Sequence, residues 1–434
     1  MRTNFQYGND EITLGFPDDS LIYQSNYKNT HKKATEMLAE SLANPVGCSP
    51  LNEMVTKRRP GKVVIVVSDI TRPIPYARFL PDLVVILETC GINKEEIIIL
   101  VATGMHRAST RTEQLRMFGE WIVQNYQIIN HDCNNENELQ ELNGESWSGS
   151  KIRLNKHYVN AGFRIVTGLV EPHFMAGFSG GRKAICPGLV SLDAVQKFHG
   201  YQFLNHPNAT SAILKDNPCH EENTSIARLS PPDYTINVVL DNNKNINAII
   251  SGELFSSHQK SMEYVKEACC PVVSTQADVA ITSCGGYPLD ATFYQCVKGF
   301  VNCLPALKDH GEIIAFGGCT EGIGSEEYTA IMKRYAGNYR RFIEDIKDEK
   351  FFIKDQWEFQ MHIRALEKTG QQNLHFFTSG ISESELSLLS VNPHPVSWQN
   401  LEKAVQQLID KAVAENKRIA VFPEGPYCAP VALG

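Results

Sequence analysis

Lys62-Val-Val-Ile-Val-Val-Ser68 is a short, unbroken apolar run dominated by β-branched side chains. It predicts a strand buried on both faces, as in a helix-covered parallel sheet, because a strand with one wet face would alternate polar and apolar residues. Asp69-Ile-Thr-Arg-Pro73 follows as its terminal loop, and Pro73 and Pro75 oppose immediate helix propagation. The segment from Ala77 to Glu88 then reads as a helix. Glu96-Ile-Ile-Ile-Leu-Val-Ala102 repeats the pattern and leads into Thr103-Gly-Met-His-Arg107, after which Thr110 and Glu113 have the spacing of a capping box. Asn125-Tyr-Gln-Ile-Ile-Asn130, Phe163-Arg-Ile-Val-Thr-Gly-Leu-Val170 and Ile236-Asn-Val-Val-Leu240 are further strand-like runs. Their alternation with helical stretches predicts an α/β fold.

The chain has 434 residues, a length that suits two or three domains. Lys266-Glu-Ala-Cys-Cys-Pro271 ends one helical segment, and new strand-like runs follow at Asp278-Val-Ala-Ile-Thr-Ser283 and Gly311-Glu-Ile-Ile-Ala-Phe316. These breaks predict an N-terminal α/β domain over residues 1–270 and a second α/β domain over 271–394. The last run, Arg418-Ile-Ala-Val-Phe422, is assigned back to the first domain, so that about 395–434 completes it. The expected fold class is α/β, with two domains built on predominantly parallel, helix-covered sheets.

With 42% hydrophobic and 21% charged residues, the composition is that of a soluble globular protein. The 41 basic and 49 acidic residues give a formal charge of -8, which disfavours nucleic acid as a partner. No apolar stretch reaches the roughly 18 residues of a membrane helix, and the polar start Met1-Arg-Thr-Asn-Phe-Gln6 is no signal peptide. A cytoplasmic protein with no membrane contact is expected. Twelve cysteines are scattered without a Cys-x-x-Cys pair, which points to free thiols instead of a disulfide scaffold or thiolate zinc site.

Lys183 ends the run Gly177-Phe-Ser-Gly-Gly-Arg-Lys183, with His173 before it and His199 after it. The run lacks the GxxxxGK(S/T) pattern of a P-loop, so Lys183 can neutralise a phosphate, form a covalent bond, or simply close a glycine turn. His106, His173 and His199 fall in loops, where imidazole can exchange protons, ligate a transition metal, or be an ordinary surface residue. Arg72 can clamp a carboxylate or phosphate through paired hydrogen bonds, or bridge to Asp69 or another acid. Gln295 and Lys298 share a face if their segment is helical. Trp357 can wall a small pocket or pack among Phe351, Phe352 and Phe359.

In order and spacing, Ser68-Asp-Ile-Thr-Arg-Pro73, Thr103-Gly-Met-His-Arg107, Glu171-Pro-His-Phe-Met-Ala-Gly-Phe-Ser-Gly-Gly-Arg-Lys183 and His199 together resemble the nickel-dependent lactate racemase family. The resemblance continues through Gln295, Lys298 and Trp357. It implies a two-domain enzyme with its active site between the domains and a nickel pincer nucleotide, pyridinium-3-thioamide-5-thiocarboxylic acid mononucleotide, as cofactor. Under this resemblance Lys183 matches the residue joined covalently to the cofactor through a thioamide, and His199 matches the protein ligand to Ni(II). Asp69, Thr71, Ser179 and Gly180 fall in the cofactor-binding set. His106 and His173 match the two acid/base residues; Arg72, Gln295 and Lys298 match the substrate-positioning set, with Trp357 and Tyr294 at the pocket. The implied reaction interconverts D- and L-lactate by reversible hydride transfer through pyruvate, with separate maturation enzymes supplying the cofactor. A racemase or epimerase of another 2-hydroxy acid (malate, a larger aliphatic or aromatic acid, or a sugar acid) is the alternative. A 2-hydroxy-acid oxidoreductase and a nonenzymatic nucleotide- or nickel-binding module are readings of other classes, and the lack of GxGxxG disfavours an ordinary NAD enzyme.

Overall fold

A computed structural model describes residues 1–348 and 351–432. The chain forms two compact units. An anchor unit, which contains Lys183, comprises Tyr27–His199 and Ile213–Val265; a terminal unit comprises Met1–Asn26, Gly200–Ala212 and Lys266–Gly434.

The anchor unit is built on a six-stranded sheet in the spatial order Ile246–Gly252, Tyr234–Leu240, Phe163–Leu169, Val63–Ser68, Ile97–Ala102, Gln127–Asn130. All neighbours are parallel except the edge pair of Ile246–Gly252 with Tyr234–Leu240. Val63 through Val67 are fully buried, as their unbroken apolar run predicts. Val63, Ile65 and Val67 share one core with Leu80, Leu83, Val84 and Leu87 of helix Leu80–Thr89. That helix begins later than the sequence suggests: Tyr76–Arg78 is a separate 3-10 turn, and Phe79 breaks from helical geometry at φ -145°. Pro81 accounts for the shift, since its ring fits a first helical turn, where no N–H is needed, but not a helix interior. The Thr110–Glu113 capping box is present, with Glu113 N–H donating to Thr110 Oγ1 at 3.3 Å and Thr110 N–H to Glu113 Oε2 at 2.8 Å.

From Val63–Ser68 the chain moves outward through Ile97–Ala102 to Gln127–Asn130, then returns to the opposite side at Phe163–Leu169. The order therefore reverses between Val63–Ser68 and Phe163–Leu169. Loops leaving the C-terminal ends of these two strands diverge, which opens the crevice where doubly wound sheets take their ligands.

The terminal unit holds a second six-stranded sheet, entirely parallel, in the order Asn392–Pro395, Leu374–Thr378, Leu307–Phe316, Ala277–Ser283, Ile419–Phe422, Leu21–Ile22. The expectation that 395–434 completes the domain of residues 1–270 is corrected here. Ile419–Phe422 pairs with Val279–Thr282, and the N-terminal hairpin of Arg2–Tyr7 and Asp10–Gly15 also belongs to this unit. Phe5, Ile12 and Leu14 of the hairpin share a core with Val279, Ile281, Ile314 and Val421, so both ends of the chain are held by the same apolar cluster. Among the described residues no helix is long and apolar enough to cross a membrane, and all twelve cysteines are free thiols.

Candidate active site

Three loops at the switch point carry the predicted chemistry of the anchor unit. Asp69, Thr71 and Arg72 follow Val63–Ser68, His106 follows Ile97–Ala102, and His173 follows Phe163–Leu169. Asp69 is buried, and its Oδ1 accepts the Thr71 N–H at 3.2 Å and the Thr71 hydroxyl at 2.6 Å. Its Oδ2 lies 2.6 Å from His106 Nδ1. Burial alone would raise the Asp69 carboxyl, but the bond and charge of His106, with Thr71 and Arg72, outweigh it and hold the group below the usual carboxylate range. An ionised Asp69 can only accept, so His106 carries its proton on Nδ1 and its lone pair on Nε2. His106 is about half exposed, as a proton-exchanging ring must be to meet a substrate.

His173 is held in the opposite state. It sits in a two-residue strand, Pro172–His173, paired antiparallel with Gly177–Phe178. The tight return brings the N–H groups of Met175 and Ala176 to its Nδ1, each at 3.3 Å. Nδ1 therefore accepts, and the neutral ring carries its proton on Nε2. One histidine presents a lone pair and the other an N–H.

Arg72 bridges to an acid, but the acid is Glu171 and not Asp69: its Nη1 donates to Glu171 Oε1 at 2.9 Å. Glu171 stands in the sequence motif with no role assigned to it.

Lys183 lies on the 3-10 turn Gly181–Ala184, with its Nζ 5.1 Å from the centroid of the Phe198 ring. Desolvation, reinforced by the Arg72 and Arg182 charges, pulls the amine down to about 7. The neighbouring Arg182 is pinned on the buried side. Its Nε donates to Asn223 Oδ1 at 2.6 Å, and its two terminal nitrogens donate to Nδ1 of His258 (2.7 Å) and of His220. His258 in turn donates from Nε2 to the Ser179 carbonyl at 2.8 Å. These partners fix the turn so that Lys183 is presented from a stiff base, and sequence reasoning missed all of them except Ser179.

Ser179 and Gly180 shape the approach to that turn. Ser179 Oγ donates to Leu169 O at 2.7 Å, tying the loop to the end of its strand. Gly180 has φ +76°, and a Cβ there would lie 2.6 Å from Val170 Cγ2 and 2.9 Å from Leu169 O. Gly180→Ala is expected to destabilise the protein by about 2 kcal/mol, from backbone strain and overpacking together. Urea unfolding of the purified variant measures it; an unchanged midpoint would show that the loop yields freely.

His199 is buried and caps the helix Leu192–Phe198. Its Nδ1 donates to Val195 O at 2.9 Å, which leaves the lone pair on Nε2. Burial and then the Lys183 charge pull its pKa down to about 3, so the ring is neutral. A neutral imidazole oriented through its other nitrogen is the form that ligates a transition metal. With a desolvated amine nearby, this donor set fits a covalently held, metal-bearing group.

In the terminal unit, Tyr294, Gln295 and Lys298 lie on helix Phe293–Cys303, and Lys298 Nζ donates to Gln295 Oε1 at 2.6 Å, so the two do share a face. Trp357 lies on helix Gln356–Thr369; its ring centroid is 6.4 Å from that of Phe352 and its Nε1 donates to Tyr294 Oη at 2.8 Å. It thus both packs and orients Tyr294. The adjacent Glu358, unassigned from sequence, is buried; among the described residues its Oε1 has no hydrogen-bond partner. Burial pushes its carboxyl well above the usual range against the pull of Lys298.

Family models described as the lactate racemase N-terminal domain and the lactate racemase C-terminal domain match residues 7–212 and 272–427. The lactate racemase of Thermoanaerobacterium thermosaccharolyticum is 35% identical over 369 residues, covering 83% of this chain and 84% of that protein. The lactate racemase of Lactiplantibacillus plantarum is 32% identical over 438 residues, covering 96% and 97%. The solved lactate racemase apoprotein of T. thermosaccharolyticum aligns with a TM-score of 0.86 at 30% identity, over 99% of this chain and 100% of that one. A Thermotoga maritima protein structure shares the fold, at a TM-score of 0.64 and 16% identity over 88% and 97%. The chain belongs to the lactate racemase family.

Proposed function

We propose that this protein is an isomerase that interconverts D- and L-lactate, with a nickel pincer nucleotide held covalently at Lys183 and through its metal at His199. The observation that carries the reading is the complementary state of two imidazoles in loops at one switch point: a lone pair on His106 Nε2, backed by Asp69, and an N–H on His173 Nε2. When bound, the nickel pincer nucleotide supplies a reversible acceptor for the hydride on C2. Arg72 takes the substrate carboxylate, and the family resemblance assigns Gln295 and Lys298 to the substrate-positioning set. His106 removes the hydroxyl proton as C2 becomes the planar carbonyl carbon of pyruvate, and Asp69 stabilises the imidazolium. After pyruvate turns its other face, protonated His173 returns a proton to the oxygen. That acid form carries a proton on Nδ1 and gives up the two long contacts from Met175 and Ala176.

Separate maturation enzymes supply the cofactor, and the twelve free thiols suit a reducing compartment, so we assign the protein to the cytoplasm. The test is chiral chromatography of products from cofactor-loaded protein given single enantiomers of lactate, malate and larger 2-hydroxy acids. Inversion of lactate fastest, with no oxidant consumed, is the expected result. Preferred inversion of another acid replaces the substrate, with Tyr294 the first pocket residue to exchange; accumulation of the keto acid makes the protein an oxidoreductase.

A further inference from the structure

The Arg72–Glu171 ion pair has no part in the chemistry above, yet it occupies the guanidinium assigned to the substrate. Both side chains keep some exposure, 30% for Arg72 and 27% for Glu171, so the pair is open to solvent and not sealed. The backbones beneath them are stiff. Arg72 N–H donates to Asp69 O at 3.2 Å and Ile74 N–H to Arg72 O at 2.8 Å. Glu171 N–H donates to Ser179 Oγ at 3.1 Å, and Glu171 O accepts the Ser179 N–H at 2.9 Å. Only the two side chains are left to rearrange.

We infer that Glu171 is an internal competitor for the substrate carboxylate at Arg72, setting how tightly monocarboxylates bind. The inference rests on the racemase reading for the identity of the substrate. A glutamate and a 2-hydroxy acid offer a guanidinium the same acceptor, so an incoming carboxylate must either evict Glu171 or crowd a second negative charge around one cation. Asp69, whose carboxylate also feels the Arg72 charge, makes crowding less favourable still. Eviction is the easier course because a partly solvated pair is weak. A neutral analogue such as an amide cannot evict it, and so meets an occupied guanidinium. Glu171 is thus a specificity-determining residue: it balances the charge of Arg72 between turnovers and lowers affinity for every ligand that lacks a carboxylate strong enough to replace it.

The experiment compares wild type, Glu171→Gln and Arg72→Gln with L-lactate and L-lactamide. Dissociation constants come from saturation-transfer NMR on cofactor-free protein, and KM and kcat from the loaded enzyme. Glu171→Gln should tighten lactate binding about two- to fivefold, the range expected for releasing an exposed ion pair. KM for lactate should fall by the same factor, lactamide should tighten as well because its carbonyl then meets a free guanidinium, and Arg72→Gln should weaken lactate alone. Unchanged or weaker lactate binding in Glu171→Gln overturns the inference, a weaker value identifying Glu171 as a brace for Arg72. Failure of the racemase reading looks different: wild type then inverts no lactate, while the binding comparison on cofactor-free protein still decides the role of Glu171.

Discussion

Lys183→Arg protein, produced together with the cofactor-maturation enzymes, is expected to show the mass of the bare polypeptide and no racemisation above background. Wild type made in parallel should carry a covalent adduct. Arginine keeps the positive charge and much of the length of the side chain but supplies no amine to acylate, so the loss separates covalent attachment from charge neutralisation. The amine is suited to attack because its pKa is pulled to about 7 by desolvation, with Arg72 and Arg182 adding to the effect. Only the neutral amine is a nucleophile, so adduct formation should climb with pH until about 7 and then level off, whereas an ordinary lysine would still be gaining at about pH 10. The same shift makes a stability statement. Between the folded value and the unfolded value of 10.5 the unfolded chain binds more protons, so the folded state gains stability as pH rises through that window, and the full cost of the buried charge is present below about 7. Lys183→Met removes the desolvated charge and should raise stability by roughly 3 kcal/mol below about pH 7, an effect discounted because the residue is only partly covered and vanishing near pH 10.5. An adduct retained by Lys183→Arg, located by peptide mapping at another residue, would defeat the assignment of the anchor.

The sequence was most informative where one physical pressure acts alone. Val63–Ser68 and Ile97–Ala102 are buried on both faces, and nothing but a β-branched run satisfies that environment, so their positions could be read directly. The sheet that Ile419–Phe422 joins could not be read, because four apolar residues fit either sheet equally well. Its place is decided by pairing with Val279–Thr282 across about 140 residues of chain, a contact with no local signature. The site divides the same way. Asp69, Thr71 and Arg72 are neighbours in sequence and at a strand end, so their chemistry was legible as a group. The brace behind Lys183 was not: Arg182 meets His220, Asn223 and His258 at separations of 38, 41 and 76 residues. Two open readings of Arg72, clamp or bridge, were both rational, since a guanidinium that must receive a carboxylate is also the one that needs an internal partner in its absence.

Replacing His106 with glutamine should lower kcat/KM for D-lactate and for L-lactate by the same factor, about 10² to 10⁴, the usual worth of a positioned general base. Equality is compulsory: enantiomers have the same free energy, the equilibrium constant is unity, and no substitution can favour one direction. Steady-state rates therefore cannot say which histidine serves which enantiomer, but half-reactions can. In a quenched single turnover with the cofactor-loaded His106→Gln variant, pyruvate should still form at near wild-type rate from the enantiomer whose hydroxyl faces His173, and not from the other. His173→Gln should show the reverse preference. The two surviving half-reactions should also differ in speed, because Asp69 stabilises a protonated His106, whereas protonation of His173 opposes the N–H groups of Met175 and Ala176. His173 can take a proton on Nε2 only as the tautomer protonated on Nδ1, which gives up both of those N–H groups, so oxidation through it should be the slower of the two. Asp69→Asn removes the support of His106 and should bring the two half-reactions closer together. Equal pyruvate yields from both enantiomers in His106→Gln would remove the division of labour, and a single histidine would then have to serve both faces.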